Sequence, residues 1–203
     1  TTAEQTTEGV DLAALDTGEY NTEPRDFVAM GMSAEDFGDA VEAQRLAEFV
    51  VHPHDIDPVL VDGGGRNGVF LGGTGAIFAG SENEILQEHS IVSAFTSFRS
   101  SEDQSREFGV SVWRFPTPED ATDAAQAMHD YALAPADGPM ATDAETPITL
   151  PGLPDTLATT YSWPSQDSTM INTLTPRGEF VIYTYADSPT DEPEWRMDAS
   201  VRG

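Results

Sequence analysis

The sequence contains no cysteine and no lysine, and its nine basic side chains are all arginines. Without cysteine the chain has no disulfides, no zinc–thiolate or iron–sulfur site and no thiol nucleophile. Without lysine it lacks the amine of a Schiff-base enzyme and the phosphate-binding lysine of a P-loop. These two absences exclude several large enzyme classes.

Positive charge is scarce in this chain. Its 36 acidic residues give a formal net charge of -27. Because duplex DNA carries a phosphate charge roughly every 1.7 Å, the chain repels nucleic acids, and we expect no nucleic-acid partner.

Two explanations for the acidity stay open. An exported protein can be kept soluble by self-repulsion, or the surface can be adapted to high salt. The scatter of the acids between apolar segments favours export.

Long hydrophobic runs are also missing. No apolar stretch approaches the roughly 18 residues that a membrane-spanning helix needs. The start, TTAEQTTEGVD, has neither the basic nor the apolar region of a signal peptide. We therefore expect either a mature form or a trimmed chain.

Composition divides the chain into two regions. Residues 1–30 are rich in Thr, Glu, Asp and Gly and predict a long, extended, acidic N-terminal arm. Residues 31–203 carry the periodic apolar segments and predict a single α+β domain. Residues 33–36, SAED, resemble a capping box and open a predicted helix over residues 34–50.

The clearest local signal is the start of a second helix. Thr117 is the predicted N-cap, Pro118 takes the first helical position and Asp120 lies three residues after the cap. The small side chains of the apolar stripe permit close approach to a sheet. This stripe consists of Ala121, Ala124, Ala125, Met128, Tyr131 and Ala132.

Alternating apolar residues predict a sheet in the second half of the chain. The predicted strands are residues 91–100, 106–115, 157–163, 169–173 and 180–186. The first two are expected to be antiparallel neighbours and the last three to form a meander. The fold class is therefore α+β, an antiparallel sheet with helices packed on one face. After residue 188 the sequence is acidic and interrupted by prolines, and we expect a helix to open only at residues 197–201.

Three strings resemble, in the same order, a family of actinobacterial cell-envelope lipoproteins of uncharacterised function. They are LDTGEYNTEPRDF (residues 15–27), EAQRLAEFVVHPHDIDP (residues 42–58) and SAFTSFRSSEDQSREFGVSVWRF (residues 93–115). The resemblance implies an extracytoplasmic protein in the cell envelope, held at the membrane by an N-terminal lipid rather than a transmembrane segment. It also implies an acylated cysteine just upstream and a second half after the meander. The chain departs from this pattern in having no cysteine and in stopping near the start of that second half.

The segment VHPHDIDP, residues 51–58, has two interpretations. His52, His54 and Asp57 suit zinc or manganese by ligand type, and two histidines one residue apart point the same way on an extended chain. A metal-dependent hydrolase is the function that this arrangement predicts. The alternative is a helix end followed by a proline-limited turn, with the histidines near the negative end of the helix dipole.

Aromatic residues on the predicted strands give the main binding hypothesis. Alternation places Tyr161 and Trp163 on one face of their strand, and Tyr183 and Tyr185 on one face of theirs. If a helix covers one side of the sheet, aromatics exposed on the other side form a platform for a ligand or partner. Ordinary core packing is the alternative. The leading expectation is a non-enzymatic, cofactor-free domain that binds a partner in an envelope protein complex, or an apolar, lipid or glycan ligand.

Overall fold

The computed structural model describes residues 50–62, 68–71, 81–134, 145–163 and 166–203, together with positions 38, 41 and 45–47. The predicted arm over residues 1–30 lies outside the described residues, as does most of the predicted helix over residues 34–50. The elements are β1 (Leu60–Asp62), β2 (Gly68–Leu71), β3 (Ser93–Ser101), β4 (Glu107–Arg114), β5 (Thr146–Ile148), β6 (Leu157–Trp163), β7 (Ser168–Arg177) and β8 (Phe180–Pro189), with helices α1 (Pro53–Ile56), α2 (Ser81–Glu88), α3 (Pro118–Leu133) and α4 (Pro193–Arg202).

The eight described strands form one antiparallel sheet in the order β1-β3-β4-β8-β7-β6-β5, and β2 also pairs with β3. The five strands predicted from alternation are β3, β4, β6, β7 and β8. The α+β fold class is confirmed, as are the antiparallel β3–β4 pair and the β6–β7–β8 meander. The sequence does not predict the three short strands at the sheet edges, β1, β2 and β5.

Helix α3 begins as its sequence predicts. The Thr117 hydroxyl accepts a hydrogen bond from the Asp120 N–H at 3.1 Å, and Pro118 occupies the first turn. Such a cap stabilises a helix by about 1 kcal/mol. The buried stripe of α3 lies on one face of the sheet, where it packs with the fully buried Trp113. The buried helix residues are Ala121, Ala124, Ala125 and Met128, and their sheet partners include Ala94, Leu174 and Val181.

The opposite sheet face carries a second apolar cluster, which includes Phe108 and Ala186, and α4 contributes Ala199 to it. The sequence predicts helices on one face of the sheet, and α4 adds a helix on the other face. Helix α4 begins at Pro193, four residues before the predicted start, because proline is tolerated in the first turn, where its missing N–H has no helical partner. The acidic, proline-containing segment is thus a helix start rather than an interruption.

Arg196 connects α4 to the end of β8 through hydrogen bonds. Its guanidinium is almost fully buried and donates hydrogen bonds to the Ser188 hydroxyl at 2.9 Å and to the carbonyls of Ser188, Pro189 and Thr190. Burial lowers the pKa of Arg196, and nearby acids including Asp187 oppose that shift. Since Ser188 and Pro189 end β8 and Thr190 follows it, the arginine fixes the connection between the last strand and the last helix.

Candidate functional site

A cavity of about 250 Å³, here called the α3 cavity, lies between helices α2 and α3 and one face of strands β6 to β8. Helix α3 contributes the residues around Met128 and Tyr131, and α2 contributes Glu82 from its first turn. Glu145, just before the edge strand β5, also lines the cavity. The aliphatic part of the lining is Met128, Ala132, Ala134, Leu157, Met170 and Leu174.

Three aromatic side chains of the sheet strands line the α3 cavity, in addition to Tyr131 of α3. Tyr161 and Trp163 are in edge-to-face contact, with ring centroids 4.6 Å apart and planes at 76°. Tyr183 stacks on the buried Trp113 at 5.1 Å and 18°. Aromatic pairs in such geometries gain about 0.5–1.5 kcal/mol beyond area burial. The aromatic wall is therefore anchored to the core at one end.

A hydrogen-bonded chain forms the polar side of the α3 cavity. The Tyr183 hydroxyl donates to Oδ1 of Asn172 at 3.1 Å, and Nδ2 of Asn172 donates to both carboxylate oxygens of Glu145 at 3.1 Å. The Thr159 hydroxyl also donates to Glu145. The strands supply these groups side by side, because register pairs Thr159 with Asn172 across β6 and β7. The Glu145 carboxylate is thus held in one orientation.

Burial and charge act together on two ionisable groups of the α3 cavity. Burial raises the pKa of Glu82, and the negative charge of Glu145 raises it further. Burial also raises the pKa of Tyr183 well above its ordinary range, with smaller contributions from Glu145 and Glu82. Tyr183 therefore keeps its proton at neutral pH and acts as a hydrogen-bond donor.

His129 also lines the α3 cavity, and its side chain is only 13% exposed. Its Nδ1 atom is buried and has no hydrogen-bond partner among the described residues. Asp130 approaches to 4.0 Å, which is too long for a hydrogen bond. Sequence periodicity places His129 on the polar side of α3. The cavity reaches it because it lies at the border of the apolar stripe, next to Met128.

Three of the four predicted aromatic residues line the α3 cavity, and the fourth, Tyr185, lies beside them with its ring centroid 6.5 Å from that of Tyr183. Tyr161, Trp163 and Tyr183 line the α3 cavity, whereas Tyr185 stacks on Phe98 at 5.7 Å and 22°. All four lie on the sheet face that α3 covers, not on the opposite face. The reason is parity. Tyr183 is two residues from Val181, which packs under α3, so both side chains point the same way.

The histidine segment forms the short helix α1. His52 is its N-cap, and its Nδ1 accepts a hydrogen bond from the His54 N–H at 3.2 Å. The described residues contain no group of three or more His, Asp or Glu side chains placed to hold a metal ion. The structure thus does not arrange the side chains of His52, His54 and Asp57 around a common metal position, although the three are close in sequence.

Asp57 instead joins distant parts of the chain. One carboxylate oxygen accepts from the Val59 N–H at 3.1 Å, and the other accepts from Trp195 Nε1 at 2.8 Å and from Arg106 at 3.1 Å. Burial acts to raise the pKa of Asp57, but these hydrogen bonds and the Arg106 charge outweigh it and lower the pKa. Arg106 also forms a two-bond pair with Glu192 at 2.7 and 3.0 Å. The network holds α1 and α4 against the start of β4.

Comparison with known proteins identifies the family. The family model described as "Domain of unknown function (DUF7373) N-terminal" matches residues 31–200, so the chain belongs to this family. No curated protein matches it. The fold is similar to the crystal structure of the extracellular domain of PknH from Mycobacterium tuberculosis, with a TM-score of 0.50 and 11% identity over 79% of this chain and 95% of that chain. In the described part of the chain, no helix combines the length and apolarity needed to span a bilayer.

Proposed function

We propose that this member of the DUF7373 N-terminal family is a non-enzymatic, extracytoplasmic domain that binds a small, partly apolar ligand in the α3 cavity. The observation that carries this proposal is the combination of an aromatic wall with a fixed polar network around one cavity. Binding sites for small molecules typically pair an apolar lining with a few positioned polar groups. Tyr161, Trp163 and Tyr183 supply the first, and Glu145 and Asn172 the second.

The size of the α3 cavity limits the ligand. Small-molecule sites usually enclose about 300–1,000 Å³, and this cavity holds about 250 Å³. It therefore suits a small molecule, or one end of a larger lipid or glycan, rather than a complete lipid.

Two observations support a location outside the cytoplasm. The structural neighbour is, by its title, an extracellular domain. The sequence strings that resemble actinobacterial envelope lipoproteins imply export with an N-terminal lipid anchor. The full reading frame tests this part of the proposal. A signal peptide that ends in an acylatable cysteine upstream of Thr1 would support export. A reading frame that encodes no signal peptide would contradict it.

The geometry does not favour the metal-dependent hydrolase as a second function. Both carboxylate oxygens of Asp57 are engaged by Val59, Trp195 and Arg106. His52 directs Nδ1 to the backbone of His54. A metal would have to displace these hydrogen bonds before it could be bound.

Calorimetric titration of the purified chain with two aromatic probes tests the binding site. The probes are 2-phenylethylammonium and 2-phenylethanol, which have the same apolar body and differ in charge. We expect saturable binding of at least one probe, weakened several-fold by Tyr161→Leu, because this ring forms part of the cavity wall. Tyr185→Leu is the matched control, since Tyr185 lies on the same sheet face but does not line the cavity.

Two results would overturn the binding proposal. One is the absence of binding by both probes at millimolar concentration. The other is an equal loss of affinity in Tyr161→Leu and Tyr185→Leu when circular dichroism shows both variants folded.

A further inference from the structure

We infer that the α3 cavity selects a positively charged ligand, an ammonium group attached to a small apolar body. This inference rests on the proposed function and adds the charge of the ligand to it. It follows from three features of the cavity lining: two carboxylates and a buried histidine nitrogen that have no cationic or hydrogen-bonding partner, respectively, among the described residues, and a wall of aromatic rings.

The two carboxylates are Glu82 and Glu145. The described lining residues include no arginine, and Glu82 makes no ion pair within the described part of the chain. Within the described ranges, the side-chain donors to Glu145 are the neutral groups of Thr159 and Asn172. The two like charges repel each other, and burial increases that cost. A cation between them relieves the repulsion.

The second feature is the buried Nδ1 of His129, which has no hydrogen-bond partner among the described residues. Buried polar atoms in native proteins are nearly always hydrogen-bonded. In the neutral imidazole that carries its proton on Nε2, Nδ1 is an acceptor. Because Nδ1 has almost no exposed surface, a ligand reaches it only when the imidazole ring turns toward the cavity; an ammonium group, which has several donors, can then bond to Nδ1 and to a carboxylate.

The third feature is the aromatic wall. The faces of Trp163, Tyr161 and Tyr183 carry the negative part of the ring quadrupole, which attracts cations within about 6 Å of a ring centre. The same rings bury the apolar body of the ligand. An anionic ligand would meet two carboxylates and a chain with a net charge of -27. The geometry thus combines recognition of positive charge and of apolar surface in one site.

The ratio of affinities for 2-phenylethylammonium and 2-phenylethanol tests the inference on the full chain at pH 7. We expect the ammonium to bind about tenfold more tightly than the alcohol. Phenylacetate, the anionic counterpart, should bind more weakly than either. Raising the salt concentration should reduce the ammonium preference and leave the alcohol unaffected.

Substitution of Glu82 tests whether the preference for the ammonium over the alcohol arises in the α3 cavity. Glu82→Gln should reduce the ratio of ammonium affinity to alcohol affinity several-fold, because the ammonium loses a carboxylate partner. Glu84→Gln is the matched control, because Glu84 lies on the same helix, is exposed and does not line the cavity. Its preference should equal that of the unsubstituted chain.

The outcomes separate this inference from the proposed function. Equal binding of ammonium and alcohol, tighter binding of phenylacetate, or an equal effect of both glutamate substitutions would overturn the selection of a cation and leave the cavity as a binding site. Failure of all three probes to bind would overturn the proposed function and this inference together.

Discussion

The Tyr183 hydroxyl donates a hydrogen bond to Oδ1 of Asn172 at 3.1 Å, on a diagonal between neighbouring strands β8 and β7. This bond orients the amide so that Nδ2 faces both oxygens of Glu145. An aromatic residue that stacks on the core thus controls the position of a carboxylate at the cavity wall. The arrangement couples the stability of the sheet to the geometry of the site.

Tyr183→Phe should destabilise the fold by about 1 kcal/mol, because Oδ1 of Asn172 loses its donor while the ring keeps its stacking partner. Urea unfolding followed by circular dichroism measures the change. Tyr131→Phe is the control, since Tyr131 also lines the cavity but is 40% exposed. A loss in the control equal to that in Tyr183→Phe would contradict the role of the hydrogen bond.

Glu82→Gln should stabilise the unliganded protein at neutral pH. Because the folded state raises the pKa of Glu82, the native protein binds this proton more tightly than the unfolded chain does. The charged side chain therefore costs stability above the folded-state pKa, and the cost disappears as pH falls below the unfolded value of about 4.3. Thermal unfolding across this range measures the difference.

The gain in melting temperature from Glu82→Gln should accordingly be positive at pH 7 and close to zero near pH 4. Glu84→Gln, on the exposed side of α2, should show no comparable pH-dependent gain. A gain that grows as the pH is lowered would contradict the assignment of the raised pKa to Glu82.

Gly109→Ala should destabilise the protein by about 1–3 kcal/mol. A methyl group at Gly109 would overlap the ring of Tyr185, the residue directly opposite on β8. The glycine leaves room for Tyr185 to stack on Phe98, which pairs with Gly109 from the other side. Chemical denaturation checks the prediction. Combining Gly109→Ala with Tyr185→Leu should cost less than the sum of the two single substitutions, and strict additivity would exclude the proposed clash.

Asp57→Ala should destabilise the fold by about 1–3 kcal/mol, because Trp195 Nε1 and Arg106 both lose their acceptor. The same carboxylate has a lowered pKa, so its contribution to stability is present above the unfolded-state pKa and is lost as pH falls through the folded-state pKa.

A zinc titration tests the alternative role of Asp57 as a metal ligand. Excess zinc should not raise the melting temperature of the unsubstituted chain, whereas a rise abolished by both His52→Ala and His54→Ala would establish a metal site.

Local signals predict much of the fold. The Thr117 cap and the Pro118 start define α3, and period-two alternation defines the long strands. Helix α2 was not predicted, because its acidic sequence buries only Leu86 and follows a glycine-rich segment. Strand β5 has three residues and contains Pro147, which suits a sheet edge but gives little strand signal.

The candidate site is only partly readable from the sequence. Alternation pairs Tyr161 with Trp163, but the sheet face that α3 covers depends on tertiary packing, which alternation does not encode. Glu82 and Glu145 lie in segments without periodicity, and His129 lies just outside the apolar stripe of its helix. Strand register and helix placement bring these groups together, so no local motif marks them.

Methionine methyl NMR gives the most direct test of the α3 cavity as the binding site. Met128 and Met170 line the cavity, whereas Met197 lies on α4, away from it. On titration with 2-phenylethylammonium, we expect saturable shifts of the ¹³C-labelled methyl signals of Met128 and Met170 and an unchanged Met197 signal. Saturable binding that leaves Met128 and Met170 unshifted would contradict binding in the α3 cavity.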